Sequence, residues 1–197
     1  MACVGALRTF GAPAPLTLLV RPLKAMAGIF AFRCKCCGEL HEGSPSFAFS
    51  APDHYASLSE EQKQRMGKLS SDLCSITHEE GTDYFVRAVL EVPIHGIKDP
   101  FLWGVWVSTS EKSFNHYLET YDSPAEGDGF FGWLCNSINL YPSDSPRPAD
   151  VYVQSDGARP KVVLHSSSNE ADQLVIDQQQ GITVERAQQL AEQAMHG

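Results

Sequence analysis

The clearest pattern of polar and apolar positions runs from Tyr84 to Ile94, where every second side chain is apolar. Side chains alternate between the two faces of a β-strand, so this stretch predicts a strand with one apolar face and one face of mixed polarity. Aromatic and β-branched residues from Phe101 to Val107 predict a second strand. Pro93, Gly96 and Pro100 lie between the two strands and predict a wide loop that joins them as a hairpin.

Helix-start signals lie on both sides of this hairpin. The stretch from Ser59 to Gln62 has the spacing of a capping box, in which the first and last residues satisfy each other's backbone N–H groups, and it predicts a helix over about 60–68. A second capping box, Ser108 to Glu111, predicts a helix that ends near Tyr121. Two more helices are predicted near the C-terminus, over residues 170–180 and after an N-cap at Thr183.

Shorter apolar runs predict further strands. They are Ile29–Arg33, Leu73–Thr77, Val151–Gln154 and Lys161–His165, the last two joined by a turn at Asp156-Gly157. Because strands follow one another in the middle of the chain, the order favours an α+β fold over a series of β-α-β units. We therefore predict a single α+β domain with a largely antiparallel sheet and flanking helices.

Length and charge agree with this prediction and narrow the function. The chain has 197 residues, enough for one domain with a substantial core. A formal net charge of −9 argues against nucleic acid or an anionic membrane as a partner. No stretch approaches the ~20 apolar residues that span a bilayer. The composition does not indicate an oligomeric state.

The first 28 residues differ from the rest of the chain. They contain Arg8, Arg21 and Lys24 but no acidic residue, and they are rich in Ala, Pro and Leu. Basic, acid-poor segments are typical of targeting peptides, but prolines interrupt this one. We expect a disordered or mis-assigned extension over 1–28, with Met26 as the real start, followed by one domain over 29–197.

The stretch "CKCCGELH", residues 34–41, carries the most chemistry. Cys34-x-x-Cys37 followed by Gly38 has the spacing of a zinc knuckle, in which a tight turn brings two thiolates to one tetrahedral ion. A structural zinc takes about four ligands, so two more must come from elsewhere. His41 is the nearest candidate, and Cys74 with His78 forms a more distant pair. We expect Cys34, Cys37, His41 and Cys74 to hold zinc, with Cys36 as a bystander.

Other interpretations of the cysteines remain open. Six cysteines at uneven spacing, without a convincing signal peptide, favour reduced thiols and a cytoplasmic protein over a disulfide framework. In one alternative, the reduced cysteines pack at the edge of the core and bind no metal. A redox pair is less favoured, since that motif belongs at the start of a helix. Gly127-x-Gly129-x-x-Gly132 matches a dinucleotide fingerprint, but a predicted helix precedes it where a strand is required.

Several motifs, taken in order, resemble a known family. They are "FRCKCCGELHEGSPSF", "LSSDLC", "YFVRAVLEVPI", "FLWGVWVS" and "FFGWLCNSINLYP". Together they are similar to DUF2199, a bacterial domain of unknown function, over about residues 29–196. The resemblance implies a shared Cys-x-x-Cys-Gly with a following His, here Cys34, Cys37, Gly38 and His41, and a shared Asp-x-Cys, here Asp72 and Cys74. It implies no reaction.

Two functions follow from these observations. The first is a non-catalytic binding or accessory protein, which engages a protein partner and uses zinc for structure. The second is a metal-dependent or thiol-dependent hydrolase with the cysteine cluster at its active site. The first is favoured because no convergent set of polar residues, as an active site needs, emerges from the sequence.

Overall fold

The structure is a computed structural model that describes residues 28–166 and 172–196. Its strands are β1 (Ala31–Arg33), β2 (Leu40–Glu42), β3 (Ser46–Ala48), β4 (Gly67–Leu69), β5 (Leu73–Thr77), β6 (Thr82–Val92), β7 (Phe101–Thr109), β8 (Gly129–Leu134), β9 (Pro148–Tyr152) and β10 (Lys161–Leu164). Its helices are α1 (Asp53–Ala56), α2 (Glu60–Met66), α3 (Glu111–Thr120), α4 (Gln173–Gln180) and α5 (Val184–His196).

The predicted hairpin of β6 and β7 is confirmed, and it forms the centre of the sheet. The two strands pair antiparallel along nearly their whole lengths, from Tyr84↔Thr109 to Val92↔Phe101. Each outer edge of the hairpin then binds two further strands. β3 and β8 share the edge of β7, and β5 and β10 share the edge of β6. β4 extends the sheet beyond β5.

Most strand pairings are antiparallel, as predicted, but the sheet is not a simple antiparallel one. β8, β9 and β10 lead from the edge of β7 back to the edge of β6, so five strands close into a barrel in the order β6-β7-β8-β9-β10. Two pairings, β10 with β6 and β3 with β7, are parallel. Ring closure joins strands that are distant in sequence, and no local pattern of polar and apolar residues encodes it. The α+β class itself is confirmed.

Two glycines of the Gly127-x-Gly129-x-x-Gly132 motif have a role in this closure. Gly129 and Gly132 lie in β8, where an added Cβ would meet the carbonyl oxygens of Val151 and Ser108. Glycine therefore permits the close approach of β8 to its two neighbouring strands.

Two hydrophobic clusters lie on opposite faces of the hairpin. The first includes Val86, Leu90 and Trp103, together with side chains from β1, α3, α4 and α5. The second is smaller and consists of Cys74, Ile76, Phe85, Trp106 and Cys135, with Tyr55, Leu58 and Met66 packed against it from α1, α2 and the segment between them. Trp103 and Trp106 point to opposite faces, one into each cluster, and both are buried.

Helix starts were predicted with mixed success. The capping box of Ser59 and Gln62 is confirmed at the start of α2. For α3 the N-cap is Ser110, whose hydroxyl accepts a hydrogen bond from the Ser113 N–H at 3.2 Å, and not Ser108 as predicted. The pairing of Ser108 with Phe85 extends β7 past the predicted cap. Residues 167–171 lie outside the described residues, and α4 begins at Gln173 after an Asp172 cap.

The predicted extension over residues 1–28 lies almost wholly outside the described residues. Its last residue, Gly28, is described, and its N–H donates to the Gly96 carbonyl at 2.8 Å beside a β-bridge to Ile97. Across the described ranges, none of the helices is both long enough and apolar enough to cross a membrane.

Asn136 is a buried amide that joins the second cluster to α1. Its Oδ1 accepts from the backbone N–H of Trp106 at 2.8 Å. Its Nδ2 donates to the Ala51 carbonyl at 2.9 Å and to Asp53 Oδ1 at 3.1 Å. One side chain therefore satisfies backbone groups from two segments that are distant in sequence.

Replacing Asn136 with Ala should lower the free energy of unfolding by about 1–3 kcal/mol, because the buried Trp106 N–H loses its acceptor. Urea denaturation followed by tryptophan fluorescence measures the change. Asn139→Ala, at an exposed asparagine on the same segment, is the matched control and should change stability by less than about 0.5 kcal/mol. Equal stability of the two variants would contradict the assigned role of Asn136.

Candidate metal centre

The cysteine-rich stretch forms a tight turn between β1 and β2, which pair antiparallel through Arg33↔Leu40. The Cys34 N–H donates to the Glu39 carbonyl at 2.8 Å, and the Gly38 N–H donates to the Cys34 carbonyl at 2.9 Å. Gly38 has φ of +76°, a left-handed conformation that glycine adopts without steric cost. We call residues 34–41 the knuckle. Its turn directs Cys34 and Cys37 toward the same space.

Cys34, Cys37 and His41 form a possible metal-binding group. One donor atom from each residue lies within 4.8 Å of the other two. Cys37 Sγ is 3.5 Å from His41 Nε2. Zinc bonds of about 2.3 Å to sulfur and 2.0–2.1 Å to nitrogen, at a tetrahedral angle, place two such donors about 3.5 Å apart. The separation of this pair therefore fits one shared ion.

The three residues are held by different parts of the structure. Cys34 is buried and belongs to the first hydrophobic cluster, whereas Cys37 is exposed at the tip of the turn. His41 lies in β2 opposite Phe32, and the two rings stack with centroids 5.2 Å apart. The site is thus anchored in the core on one side and open to solvent on the other.

The knuckle favours the thiolate form of Cys34. The backbone N–H of Cys37 is the main cause that lowers the pKa of the Cys34 thiol to about 7, and the N–H of Cys36 contributes in the same direction against the effect of burial. The Cys36 N–H lies 3.4 Å from Cys34 Sγ. Since zinc binds the thiolate and not the thiol, this environment prepares Cys34 for a metal.

Cys74, the fourth predicted ligand, lies elsewhere. It pairs with Phe85 in β6 and is buried in the second hydrophobic cluster, and it is not a member of the group formed by Cys34, Cys37 and His41. Burial raises the pKa of its thiol to about 12. His78, the other distant candidate, has Nε2 3.1 Å from Asp83 Oδ2 at the surface.

A residue that the sequence argument did not select lies beside the knuckle. His196, at the end of α5, has Nε2 3.4 Å from Cys34 Sγ. It is separated from Cys34 by most of the chain, so no spacing rule links the two. The only local signal is a polar stripe of Gln188, Glu192 and His196 at four-residue intervals along α5, which places all three on one helix face.

Cavities near the knuckle are small. The surface depression beside it has a volume of about 260 Å³ and is lined by Cys36, Gln189, Glu192, Gln193 and His196. Larger cavities of about 670, 540, 650 and 320 Å³ are lined by other parts of the chain, and none of their lining residues belongs to the knuckle. Trp133 lines two of these larger cavities.

Comparison with known proteins gives one match. The model of a family described as "Uncharacterized protein conserved in bacteria (DUF2199)" matches residues 33–182, more than half of the chain. Searches of curated proteins and of solved structures return no significant match. The match covers the knuckle, the β6–β7 hairpin and the barrel, as the resemblance of the motifs predicted. The chain therefore belongs to the DUF2199 family.

Proposed function

We propose that the protein is a non-catalytic binding domain whose knuckle holds a structural zinc ion. The observation that carries the proposal is the convergence of Cys34, Cys37 and His41, whose donor atoms lie within 4.8 Å of one another. Two thiolates and an imidazole are ligands that zinc prefers. Zinc would fix the turn between β1 and β2, which are only three residues long each and have few hydrogen bonds of their own.

A structural role is supported by the surroundings of the site. The depression beside the knuckle is smaller than the 300–1,000 Å³ typical of ligand pockets. Cys34 and Cys37 bind zinc only when reduced, which agrees with the expectation of a cytoplasmic protein. All five cysteines in the described part of the chain are free thiols.

Purified wild-type protein, reduced and supplied with Zn²⁺, should retain about one zinc per chain after gel filtration, as measured by elemental analysis. At free zinc 100-fold above Kd, the free energy of unfolding should rise by about 2.7 kcal/mol. Cys34→Ser, Cys37→Ser and His41→Ala should lose both effects, because each removes a ligand.

Two variants serve as matched controls for this experiment. Cys36→Ser removes the neighbouring cysteine of the same turn and should keep the zinc. Cys74→Ala should also keep it, because Cys74 lies in the second hydrophobic cluster. A wild type that binds no zinc would end the proposal, and loss of zinc on Cys74→Ala alone would move the site away from the knuckle.

A group of exposed apolar side chains on the barrel supports the binding role. Phe131, Trp133, Tyr152 and Val163 are exposed by 41–47% and come from the neighbouring strands β8, β9 and β10. The rings of Phe131 and Trp133 make an edge-to-face contact with centroids 5.4 Å apart. We call these four residues the aromatic face. Adjacent exposed aromatic side chains are typical of surfaces that bind another protein.

A photo-crosslinking amino acid placed at Val163 should capture a protein partner in a lysate of the source cells, and excess wild-type protein should compete. The folded variant Phe131→Ser/Trp133→Ser should compete poorly, since it lacks the centre of the aromatic face. The same crosslinker at Leu118, an equally exposed residue of α3, is the control. Equal capture at both positions, or equal competition by the double variant, would refute a partner at the aromatic face.

One observation favours hydrolysis as the second candidate. Catalytic zinc sites have three protein ligands and one open position, and the group at the knuckle has three members. Zinc-loaded protein that hydrolyses p-nitrophenyl acetate above the rate of free Zn²⁺, with loss of that rate in Cys37→Ser but not in Cys36→Ser, would favour a hydrolase. Hydrolysis rates equal to those of free Zn²⁺ would argue against a hydrolase and favour the structural role of zinc.

A further inference from the structure

We propose that His196 is the fourth zinc ligand, so that the metal joins the C-terminal end of α5 to the knuckle. This inference rests on the proposed zinc site and specifies how that site is completed. A structural zinc is almost always bound by four protein ligands in a tetrahedron. Cys34, Cys37 and His41 provide three of them. The fourth must be a sulfur, nitrogen or oxygen donor that lies next to this group.

The distance from His196 to Cys34 is that expected of two ligands of one zinc ion. Its Nε2 lies 3.4 Å from Cys34 Sγ, close to the separation of about 3.5 Å between sulfur and nitrogen ligands of one zinc. This distance nearly equals the 3.5 Å between Cys37 Sγ and His41 Nε2. Each pair therefore has the separation expected of one sulfur and one nitrogen ligand of the same zinc ion.

The packing of α5 explains why His196 lies there. Three residues on successive turns of one helix face each contact the knuckle or the strand before it. Gln188 Nε2 donates to the Arg33 carbonyl at 3.4 Å, and the Lys35 N–H donates to Glu192 Oε1 at 2.8 Å. His196 follows at the next turn. The first two contacts thus fix α5 along the knuckle and bring the third residue to Cys34.

Rotation of the His196 side chain would bring its ring nitrogen to the group formed by Cys34, Cys37 and His41. Its donor nitrogen is not within 4.8 Å of every member of the three-residue group. The side chain is exposed and lies on the last turn of α5, where rotation about its side-chain bonds meets little packing. Cys36 is also exposed, and its thiol is the competing donor for the fourth position. Its contact with the site is through its backbone N–H, which lies 3.4 Å from Cys34 Sγ.

A closed tetrahedron has consequences for the chain. The site is then structural and lacks the open position that catalysis at zinc needs. Binding also joins two segments that lie near opposite ends of the described chain, so zinc stabilises the folded state in which the two segments meet. The last turn of α5 should therefore become more ordered when zinc binds.

The test measures zinc affinity by competition with a chromophoric chelator in the full chain. His196→Ala should weaken binding by more than about 100-fold, above the 10–100-fold typical of residues that only hydrogen-bond to a ligand. Gln193→Ala, an exposed neighbour on the same helix, is the control and should bind as wild type does. X-ray absorption of the zinc-loaded wild type should show two sulfur and two nitrogen ligands.

Two conservative variants separate a ligand from a positioning residue. His196→Gln keeps an N–H donor for Cys34 and should not restore affinity. His196→Cys provides a new zinc ligand, so it should restore affinity and raise the sulfur count to three. The absorption bands of bound Co²⁺ should change in position and intensity in His196→Ala, where water takes the fourth position, whereas His196→Cys should keep intense tetrahedral bands.

Specific results would overturn the inference. Unchanged zinc affinity and an unchanged Co²⁺ spectrum in His196→Ala would show that another group is the fourth ligand. Full rescue by His196→Gln would show that His196 only orients the Cys34 sulfur. In either case the wild type still binds zinc and the proposed function stands, whereas a wild type without zinc would refute both.

Discussion

The antiparallel pairing of β6 with β7 is the constraint on which the rest of the structure depends. One face of this hairpin is buried in the first hydrophobic cluster, and the second cluster covers part of the other face. A slip of one residue in its register would turn the side chains of one strand to the other face, so that Phe85 and Trp106 would no longer share a face. The hairpin also provides both edges on which the barrel closes and on which β3 and β5 pair. Its register therefore sets the position of nearly every other element.

The position of the knuckle depends on the first hydrophobic cluster. Phe30, Phe32 and Cys34 belong to the first hydrophobic cluster, and so do Ala187, Leu190 and Ala191 of α5. Because the knuckle and α5 pack on the same core, their polar residues meet at its edge. The contacts of Glu192 with Lys35 and of His196 with Cys34 follow from that shared packing. A metal at this position would strengthen an arrangement that hydrophobic burial has already produced.

Two buried cysteines show how environment decides chemistry. Cys74 and Cys34 are equally inaccessible to solvent. Cys74 lies among apolar side chains, and burial raises the pKa of its thiol to about 12. Cys34 lies in a turn whose backbone N–H groups point at its sulfur, chiefly that of Cys37, and the pKa of its thiol falls to about 7. At Cys34, hydrogen bonds to the thiolate outweigh the cost of burying its charge, and these bonds in the turn distinguish the candidate ligand from Cys74.

The sequence by itself determined the elements whose signals are local. Alternating polarity predicted β6, and aromatic and β-branched residues predicted β7. The capping box predicted the start of α2, and the spacing of Cys34, Cys37 and His41 predicted the group that the fold brings together. Only the tertiary structure decided the closure of the barrel, the separation of Cys74 from the knuckle and the approach of His196. These features join residues far apart along the chain, and their meeting depends on which hydrophobic faces pack together. No local pattern of residues contains that information, because packing is settled by the whole core at once.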